Sequence, residues 1–540
     1  MKYKSISNDE EDKIEVKPAK RKLPGVFCAM VFLWLAVNIF AYLYINNSNT
    51  IYFWDNATYW DIARKLANGT AEMGVYGSIG SMDYNYVAGV ISAFFIKLFG
   101  ESRLCYVLGL VNLYIVPSFA VVYILAKRIG KAPGVTLAIT FLICPAILYI
   151  TLLGFADIGG ILICLTCYML YYPKHENKHT LIRHIAIGAL LVLMMIWRRW
   201  YAFFAVSFLT AMVCDTLLFK GKKLPVLITV AISGLILLFG FYDFLTGILL
   251  RDYGNLYAGY KFSISTDLKL ITRYFGLIFI VSLFVSSVAV IIKKREIRLI
   301  FMWIQIIVCF LMFVLTQTHG QQHLLLYVPS IIMVLVILIK HITRAKMLIL
   351  ISILAILNTV NILIPRNQPK SISEIKTYAL LPNFSIKPPV REDARQIFDL
   401  KKRLDNVVEE GKTLGVLASS FKLNEDILKN VEPSLGVTPS RKNYIVSLPQ
   451  VDSRDTDMSA FYNVNYILTA TPAQTHLAEG NQRVVEEALK SFEAYADFAA
   501  SYDELPQLAT EIDGIEIKLY KRNRMVKEVA MREFERRLLK

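Results

Sequence analysis

Apolar residues crowd into long runs between Pro24 and Ile364 and become sparse beyond Pro365. A helix needs about 20 apolar residues to cross the hydrocarbon layer of a membrane, so runs near that length that end at charged or turn residues indicate spans. We therefore expect a polytopic α-helical membrane protein of about eleven spans, the fourth and fifth being short. The predicted spans are Leu23–Ile45, Tyr106–Ala126, Pro133–Ile150, Ile158–Tyr172, Ile185–Trp197, Tyr201–Phe219, Leu224–Leu245, Tyr274–Ile292, Leu299–Gln317, Leu324–Ile339 and Met347–Ile364.

Basic residues occupy every second gap between these runs. Lys and Arg are enriched in short cytoplasmic loops, so the alternation places the N-terminus inside the cell and everything after Pro365 outside. We expect a multi-pass protein of the plasma membrane. Its predicted parts are a cytoplasmic tail over 1–22, a transmembrane domain over 23–364 with a first outer loop over 46–103, and an extracytoplasmic domain over 365–540. The basic clusters are Lys17, Lys20, Arg21 and Lys22; Lys127, Arg128 and Lys131; Lys174, Lys178 and Arg183; Lys220, Lys222 and Lys223; Lys293, Lys294, Arg295 and Arg298; and Lys340, Arg344 and Lys346.

The composition supports a membrane protein and argues against other classes. The chain of 540 residues is 55% apolar and carries a net charge of +16. Because the basic residues flank apolar runs, the charge reports topology, and we expect a lipid bilayer and no nucleic acid as partner. All seven cysteines lie in or beside apolar runs, so they are not expected to form an external disulfide framework. In this setting the Cys164 and Cys167 spacing indicates small apolar filler more than a redox or metal motif.

The first outer loop is predicted to contain two short helices. Asp55 or Asn56 can cap a helix that ends at Gly69 and carries an apolar stripe including Tyr59. A second segment, Tyr86–Phe99, is too short to span the membrane. The first helix is expected to lie flat on the membrane surface, and the second to be an interfacial or re-entrant helix.

Asp55 lies just outside the first predicted span, at the start of a helix. Its carboxylate could be a simple helix cap. It could instead face a cavity and act as a general base that takes the proton from an attacking acceptor. The residues alone leave both possibilities open.

The arrangement around Asp55 resembles a known superfamily. An aspartate just after the first span, Tyr59 and Ala63 at successive steps of four, and two short helices before the second span are similar to the C-type integral membrane glycosyltransferases. This superfamily includes bacterial aminoarabinose transferases and protein O-mannosyltransferases, and the resemblance covers nearly the whole chain in span count, first outer loop and external C-terminal domain. It implies transfer of a sugar from a polyprenyl-phosphate donor to an acceptor on the outer face, with inversion, and it gives Asp55 the position of the catalytic base. Several members carry a second acid directly after that aspartate; Asn56 stands there instead, which leaves a paired carboxylate or a bound divalent cation in question.

Two adjacent arginines depart from the charge rule. Arg198 and Arg199 lie between the fifth and sixth predicted spans, in a gap that the alternation places outside. Either the fifth span is misplaced, or the pair reaches lipid headgroups, or the guanidinium groups bind a phosphate, for which their planar fork is suited. The superfamily places a basic residue after its fifth span, so the resemblance implies a donor-phosphate site here.

Other polar residues at the predicted outer ends are further candidates. Asp157 lies in a tight turn before the fourth predicted span and could be a turn residue or a second acid near the sugar. His319 and His323 precede the tenth, and the resemblance favours His323 as a donor-phosphate ligand. The possible sugar or acceptor contacts are Tyr59, Asp61, Asp83, Asp157 and His319. No protein metal site is expected, although a divalent cation stays open as a cofactor.

Beyond Pro365 helical patterns alternate with short β-rich runs, which predicts a small external α/β domain. The resemblance implies that such a domain covers the outer cavity or selects the acceptor. The last helix could pack on this domain or on the headgroups. The predicted helices are Ala394–Glu410, Gln482–Phe498 and Arg522–Lys540, and the predicted strands are Leu414–Ala418, Asn443–Leu448, Asn465–Ala470 and Ile515–Tyr520.

The expected function is that of an inverting membrane glycosyltransferase that moves a sugar from a polyprenyl phosphate to an envelope acceptor, whether glycan, lipid, teichoic acid or protein. The alternatives are a lipid-linked glycan flippase, a polysaccharide polymerase and a sensor. A transporter is expected to show inverted repeats with broken spans, and the sequence shows no such internal symmetry.

Overall fold

The structure is a computed structural model that describes residues 24–131, 145–173, 180–218, 223–343, 375–383, 387–441 and 443–539, with scattered positions at 133, 134, 136 and between 345 and 360. The predicted tail 1–22, half of the third predicted span, most of the eleventh, and the basic residues at 174, 178, 220, 222 and 344 lie outside the described residues.

Eight helices in the described part of the chain are long and apolar enough to cross a membrane. They correspond to the first, second and fifth to tenth predicted spans. The fourth predicted span forms a shorter apolar helix, Ile158–Tyr171. The eight segments are Phe27–Asn46, Arg103–Ile129, Thr180–Trp197, Tyr201–Leu218, Lys223–Gly240, Leu277–Lys294, Arg298–Thr316 and Gln321–Ile339.

The bundle is arranged around the segment Gln321–Ile339, in which 94% of the residues of its most apolar 18-residue stretch are buried. By contrast, only 6% of the residues of Lys223–Gly240 are buried, so this segment lies at the periphery of the bundle. One polar cluster inside the bundle is paired: the Tyr168 hydroxyl lies 2.8 Å from Ser330 Oγ and also donates to the Gln305 side chain. Such pairing is stabilising because an unsatisfied polar group is costly away from water.

The segment 46–103, predicted to be the first outer loop, contains the helix Trp54–Asn68, called the first-loop helix below, followed by Val75–Ser78 and Val87–Phe99. The first-loop helix ends at Gly69, whose φ of +67° favours glycine. The N-cap residue is Phe53, and the side chain of Asn56, three residues further on, accepts from the Phe53 N–H through Oδ1 at 3.1 Å. The alternative in which Asp55 is the cap is therefore wrong, because the Asp55 carboxylate is bound elsewhere.

The chain between the spanning segments Lys223–Gly240 and Leu277–Lys294, called the 241–276 segment below, folds into short helices. Its last helix begins at Ser263, whose hydroxyl accepts from the Thr266 N–H, and ends at Gly276. The segment is tied to the loop before Gln321–Ile339, because the Thr318 N–H donates to the Tyr260 carbonyl at 3.2 Å. Its elements are Tyr242–Leu250, Tyr253–Leu256, Ala258–Tyr260 and Ile264–Phe275.

The C-terminal region is an α/β fold around a six-stranded sheet in the order β2-β1-β3-β6-β4, with β5 paired to β6. The first three strands are mutually parallel, and β6 is antiparallel to its neighbours. The four predicted strands and three predicted helices are found here, and β4 and β5 are additional. The strands are β1 (Leu414–Leu417), β2 (Ile445–Val446), β3 (Tyr466–Thr471), β4 (Tyr502–Glu504), β5 (Thr510–Ile512) and β6 (Ile515–Arg522). The helices are Ala394–Val407, Glu425–Ser434, Ser459–Asn463, Arg483–Glu493 and Glu528–Leu538.

The C-terminal fold docks on the start of the first-loop helix. Ile51 is buried in the core on one face of the sheet. The Tyr52 N–H donates to Ser434 Oγ at 3.2 Å, and the Trp54 N–H donates to Asp426 Oδ2 at 2.9 Å. The last helix packs on the same domain, where Phe534 is fully buried. The residues around Asp55 therefore lie between the helical bundle and the C-terminal fold.

Candidate active site

Arg198 binds two aspartates from different parts of the chain. Its Nη2 donates to Asp55 Oδ2 at 2.6 Å, and its Nε donates to Asp157 Oδ1 at 3.0 Å. Its Nη1 donates to the Tyr59 hydroxyl. The structure thus brings together four residues that the sequence singled out, and Arg198 and Asp157 are almost fully buried.

The Asp55 carboxylate has two further partners. The Tyr84 hydroxyl donates to Oδ1. The Gln322 side-chain amide donates to Oδ2 at 3.2 Å. Asp55 keeps 22% of its side chain exposed, so its carboxylate is fixed in direction yet still accessible from one side.

Glycines let the elements of this site approach closely. A Cβ on Gly159 would lie 2.2 Å from the Trp197 ring, and one on Gly160 would lie 2.1 Å from the Tyr201 ring. The Tyr201 hydroxyl donates to the Asp157 carbonyl at 2.7 Å. The turn that carries Arg198 is therefore clamped onto the turn that carries Asp157.

The pKa values of Asp55, Asp157 and Arg198 are shifted in different ways. Burial raises the pKa of Asp55, but the Arg198 charge and the hydrogen bonds from Tyr84 and Arg198 outweigh it, so the net shift is downward. For Asp157 burial outweighs the attraction of Arg198, and its pKa is raised. The two carboxylates raise the pKa of Arg198 further, despite its burial. At neutral pH the site therefore contains an ionised Asp55 beside a permanently charged guanidinium.

A second cationic centre, formed by Arg199 and Arg251 around Asp83, lies next to the Arg198 site. Arg199 Nη1 and Arg251 Nη1 both contact Asp83 Oδ1, at 3.3 and 2.6 Å. These cations lower the pKa of Asp83 although partial burial opposes them. Because Asp83 precedes Tyr84 and Arg199 follows Arg198, the two centres are neighbours along both segments. Arg199 pairs with Asp83 and not with Asp55. It extends the site toward Asp83, whose side chain is 56% exposed.

The two candidate histidines support the loop that carries Gln322. His319 is fully buried: its Nδ1 donates to Asp267 Oδ1 at 2.5 Å, and its Nε2 lies 2.6 Å from the Tyr327 hydroxyl. Burial lowers the pKa of His319, so the ring is neutral, with Nε2 accepting from Tyr327. His323 Nδ1 accepts from the Gly320 N–H at 2.8 Å. No hydrogen bond from either ring to Asp55 or Arg198 is found among the described residues.

Asp61 lies on another side of the first-loop helix from Asp55. It pairs with Arg64 and Lys65, both at 3.2 Å, and is 42% exposed. The structure does not bring it into the Asp55 cluster.

Three residues of the site were missed from the sequence, namely Tyr84, Gln322 and Arg251. Each had a weak signal. Tyr84 follows Asp83, Gln322 precedes His323, and Arg251 directly follows an apolar run. Pairing with a distant carboxylate could not be inferred from these positions.

No group of three or more His, Cys, Asp or Glu side chains in the described parts of the chain is placed to hold a metal ion. Asp55 and Asp157 do come together, but through the guanidinium of Arg198.

The helical bundle, the long loop over 46–103 and the C-terminal α/β region together make up a fold that is also found in solved structures. ArnT, an aminoarabinose transferase from Cupriavidus metallidurans, shares this fold. Its structure bound to undecaprenyl phosphate matches with a TM-score of 0.55 and 12% identity over 92% of this chain and 99% of that chain. Its structure in the apo state gives a TM-score of 0.53 over 92% and 98%.

The oligosaccharyltransferase of Archaeoglobus fulgidus, in complex with Zn and sulfate, is also similar, with a TM-score of 0.43 and 12% identity over 84% of this chain and 70% of that chain. No protein-family model and no curated protein matches the sequence. At 12% identity the likeness to ArnT establishes a common fold.

Proposed function

We propose that this protein is an inverting glycosyltransferase that takes a sugar from a polyprenyl-phosphate donor and transfers it to a cell-envelope acceptor on the outer face of the membrane. The observation that carries the proposal is the contact between Asp55 and Arg198, which joins an accessible carboxylate to a buried cation. Undecaprenyl phosphate bound to ArnT, a protein of the same fold, supports a lipid-phosphate donor.

Arg198 is the proposed ligand of the donor phosphate. A guanidinium has five N–H donors, and Asp55, Asp157 and Tyr59 use three of them. Two donors remain for a phosphate oxygen. A fixed cation in a poorly hydrated site stabilises the negative charge that grows on the phosphate as it leaves. Arg199 and Arg251, at the exposed centre on Asp83, add positive charge along the path of the anionic lipid headgroup.

Asp55 is the proposed general base. It is ionised at neutral pH and held in direction by Tyr84 and Gln322. In the transfer step the acceptor oxygen or nitrogen bonds to the anomeric carbon, and the bond from that carbon to the phosphate oxygen breaks. The acceptor proton passes to Asp55, and polyprenyl phosphate leaves with the bonding electrons. Attack opposite to the leaving phosphate inverts the anomeric carbon.

Asp157 and the two histidines act as positioning residues in this proposal. Asp157 fixes Arg198 through Nε. His319 anchors its loop through Asp267 and Tyr327, and His323 accepts from the Gly320 N–H of the same loop. These contacts hold the loop in the position from which Gln322 binds Asp55. The predicted topology places all these residues on the outer side, where a lipid-linked donor is available and cytoplasmic nucleotide sugars are not.

Mass spectrometry of envelope polymers tests the proposal. A strain lacking the protein is complemented with the wild-type chain, with Asp55→Asn, or with Glu101→Gln as the control. Glu101 is an exposed carboxylate of the same loop that contacts Asn68. The expected result is that one sugar modification disappears in the deletion strain and returns with the wild type and Glu101→Gln only. Polymers that are identical in all strains would refute the proposal.

A further inference from the structure

An aromatic cluster adjoins the proposed base and belongs mostly to other parts of the chain. The ring of Trp54, the residue before Asp55, lies 4.2 Å from the His476 ring and 5.0 Å from the Phe421 ring. The centroid of the Tyr260 ring lies 6.2 Å from that of the His476 ring. Phe421 is 43% exposed, so a large apolar face is open to a ligand.

The C-terminal fold contributes Phe421 and His476 to this cluster, near the place where the parallel strands of its sheet end. Ser419 follows β1, Gln450 follows β2 and His476 follows β3. Ser419 Oγ donates to Gln450 Oε1 at 2.6 Å, and His476 Nδ1 donates to the Ser419 carbonyl at 2.8 Å. In open α/β sheets the carboxyl ends of parallel strands are the usual ligand-binding edge. Here that edge faces the first-loop helix.

Trp54 is held in an unusual backbone conformation at this place. Its φ is +52°, in the left-handed region that side chains other than glycine rarely adopt. Its N–H is fixed by the Asp426 carboxylate of the C-terminal fold. Backbone strain of this kind concentrates at functional sites, where the surrounding structure enforces it. The indole is thus placed by the C-terminal fold and not by helix geometry.

The polar groups around the cluster are mostly uncharged or internally paired. Burial lowers the pKa of His476 to about 4, so its ring is neutral near pH 7. Since Nδ1 carries the proton that binds Ser419, Nε2 presents a lone pair. Burial raises the pKa of Glu425, which holds Gln450. Arg454 is paired with Asp455 at 2.7 Å.

We propose that Trp54, Tyr260, Phe421 and His476 form a binding site for a sugar ring, and that the acceptor of this transferase is therefore a carbohydrate. Aromatic rings pack against the C–H faces of a pyranose, while neutral acceptors such as His476 Nε2 pair with its hydroxyl groups. This chemistry suits an uncharged glycan better than a peptide or a lipid chain. Naming that sugar as the acceptor rests on the proposed function, whereas the binding site itself does not.

Saturation-transfer NMR on the full-length protein in nanodiscs tests this site. The probes are the methyl glycosides of glucose, galactose, mannose and N-acetylglucosamine, together with a Ser/Thr-rich peptide. At least one glycoside is expected to receive saturation at its ring protons, and the peptide is not. Phe421→Ala and His476→Asn are each expected to weaken that binding by about tenfold. The Asn amide can still donate to Ser419 but lacks the ring and Nε2.

The control is Tyr495→Ala, which removes a similarly exposed aromatic ring elsewhere on the C-terminal fold and is expected to leave binding unchanged. Binding of the peptide alone, or glycoside binding that Phe421→Ala and His476→Asn do not weaken, would overturn the inference. Asp55→Asn separates the two proposals, because it is expected to bind the glycoside like the wild type. If Asp55→Asn also kept full transfer activity, the catalytic proposal would fail while the sugar site stood.

Discussion

Asp55 and Asp157 share a single guanidinium, with Arg198 donating to the first through Nη2 at 2.6 Å and to the second through Nε at 3.0 Å. The two acids come from the first outer loop and from the turn before Ile158–Tyr171. Arg198 thus links three separate segments at the candidate site. Its removal is expected to affect both the fold and the reaction.

The first prediction concerns Arg198 itself. Arg198→Ala leaves two acidic groups without their cation, and breaking a buried ion pair in this way costs about 3–5 kcal/mol. We expect lower thermal stability and no transfer. Arg198→Lys keeps a charge but cannot bind both aspartates through a planar fork, so it should restore part of the stability with little activity. Thermal unfolding in detergent and envelope analysis measure the two effects. Wild-type transfer by Arg198→Lys would contradict the role of the fork.

The second prediction concerns the exposed centre. Arg199→Ala and Arg251→Ala remove pairs with Asp83 that are open to solvent, and such pairs contribute about 0–1 kcal/mol. Stability should therefore hardly change. Donor binding should weaken, so the KM for the lipid-linked sugar should rise more than kcat falls. Lys97→Ala, on the helix Val87–Phe99, is the control. An unchanged KM in both variants would exclude this centre from donor binding.

The third prediction concerns pH. The Tyr84 hydrogen bond is one of the interactions that lower the pKa of Asp55, so Tyr84→Phe should raise that pKa. Since the base must be ionised, the acid limb of the pH–rate profile should move to higher pH. Stability depends on pH in the same direction. Because the pKa of Asp55 is lower in the folded than in the unfolded protein, its ionised carboxylate stabilises the fold above the unfolded pKa, and this stabilisation is lost as the pH falls through the folded pKa. An acid limb that stays in place would show that another group controls it.

The fourth prediction concerns the glycines that bring the turns together. Gly160→Ala places a Cβ 2.1 Å from the Tyr201 ring, so the Arg198 turn must shift. We expect loss of transfer and some loss of stability. Gly77→Ala is the matched control, because no atom lies within 4 Å of its added Cβ. Equal activity in the two variants would mean that the turn tolerates displacement.

Apolar run length was sufficient to predict the spans that the structure describes, and alternation of β-rich and helical stretches was sufficient for four strands of the C-terminal sheet. β4 and β5 were missed because they are three-residue strands that depend on pairing with β6. The assignment of cytoplasmic and outer loops stays a prediction.

At the site, sequence position pointed to Asp55, Arg198 and Asp157 separately, and only the fold shows them in contact. Asp55 as a cap was open in the sequence because Asp and Asn are both good caps. In the structure Phe53 is the N-cap residue, and Asn56, not Asp55, accepts from its N–H. The paired arginines resemble one another in sequence but diverge in structure, since adjacent residues leave a turn in different directions. Arg198 turns inward to two acids, and Arg199 turns outward to Asp83.

The most direct measurement follows the donor lipid. Membranes from a strain lacking the protein are expected to accumulate a polyprenyl phosphate that carries the sugar, and mass spectrometry quantifies its consumption after purified protein is added. Wild type and Glu101→Gln should consume it, and Asp55→Asn should be slower by about 100-fold or more, as expected for loss of a general base. Consumption by Asp55→Asn at the wild-type rate, or absence of any accumulated lipid-linked sugar, would contradict the account.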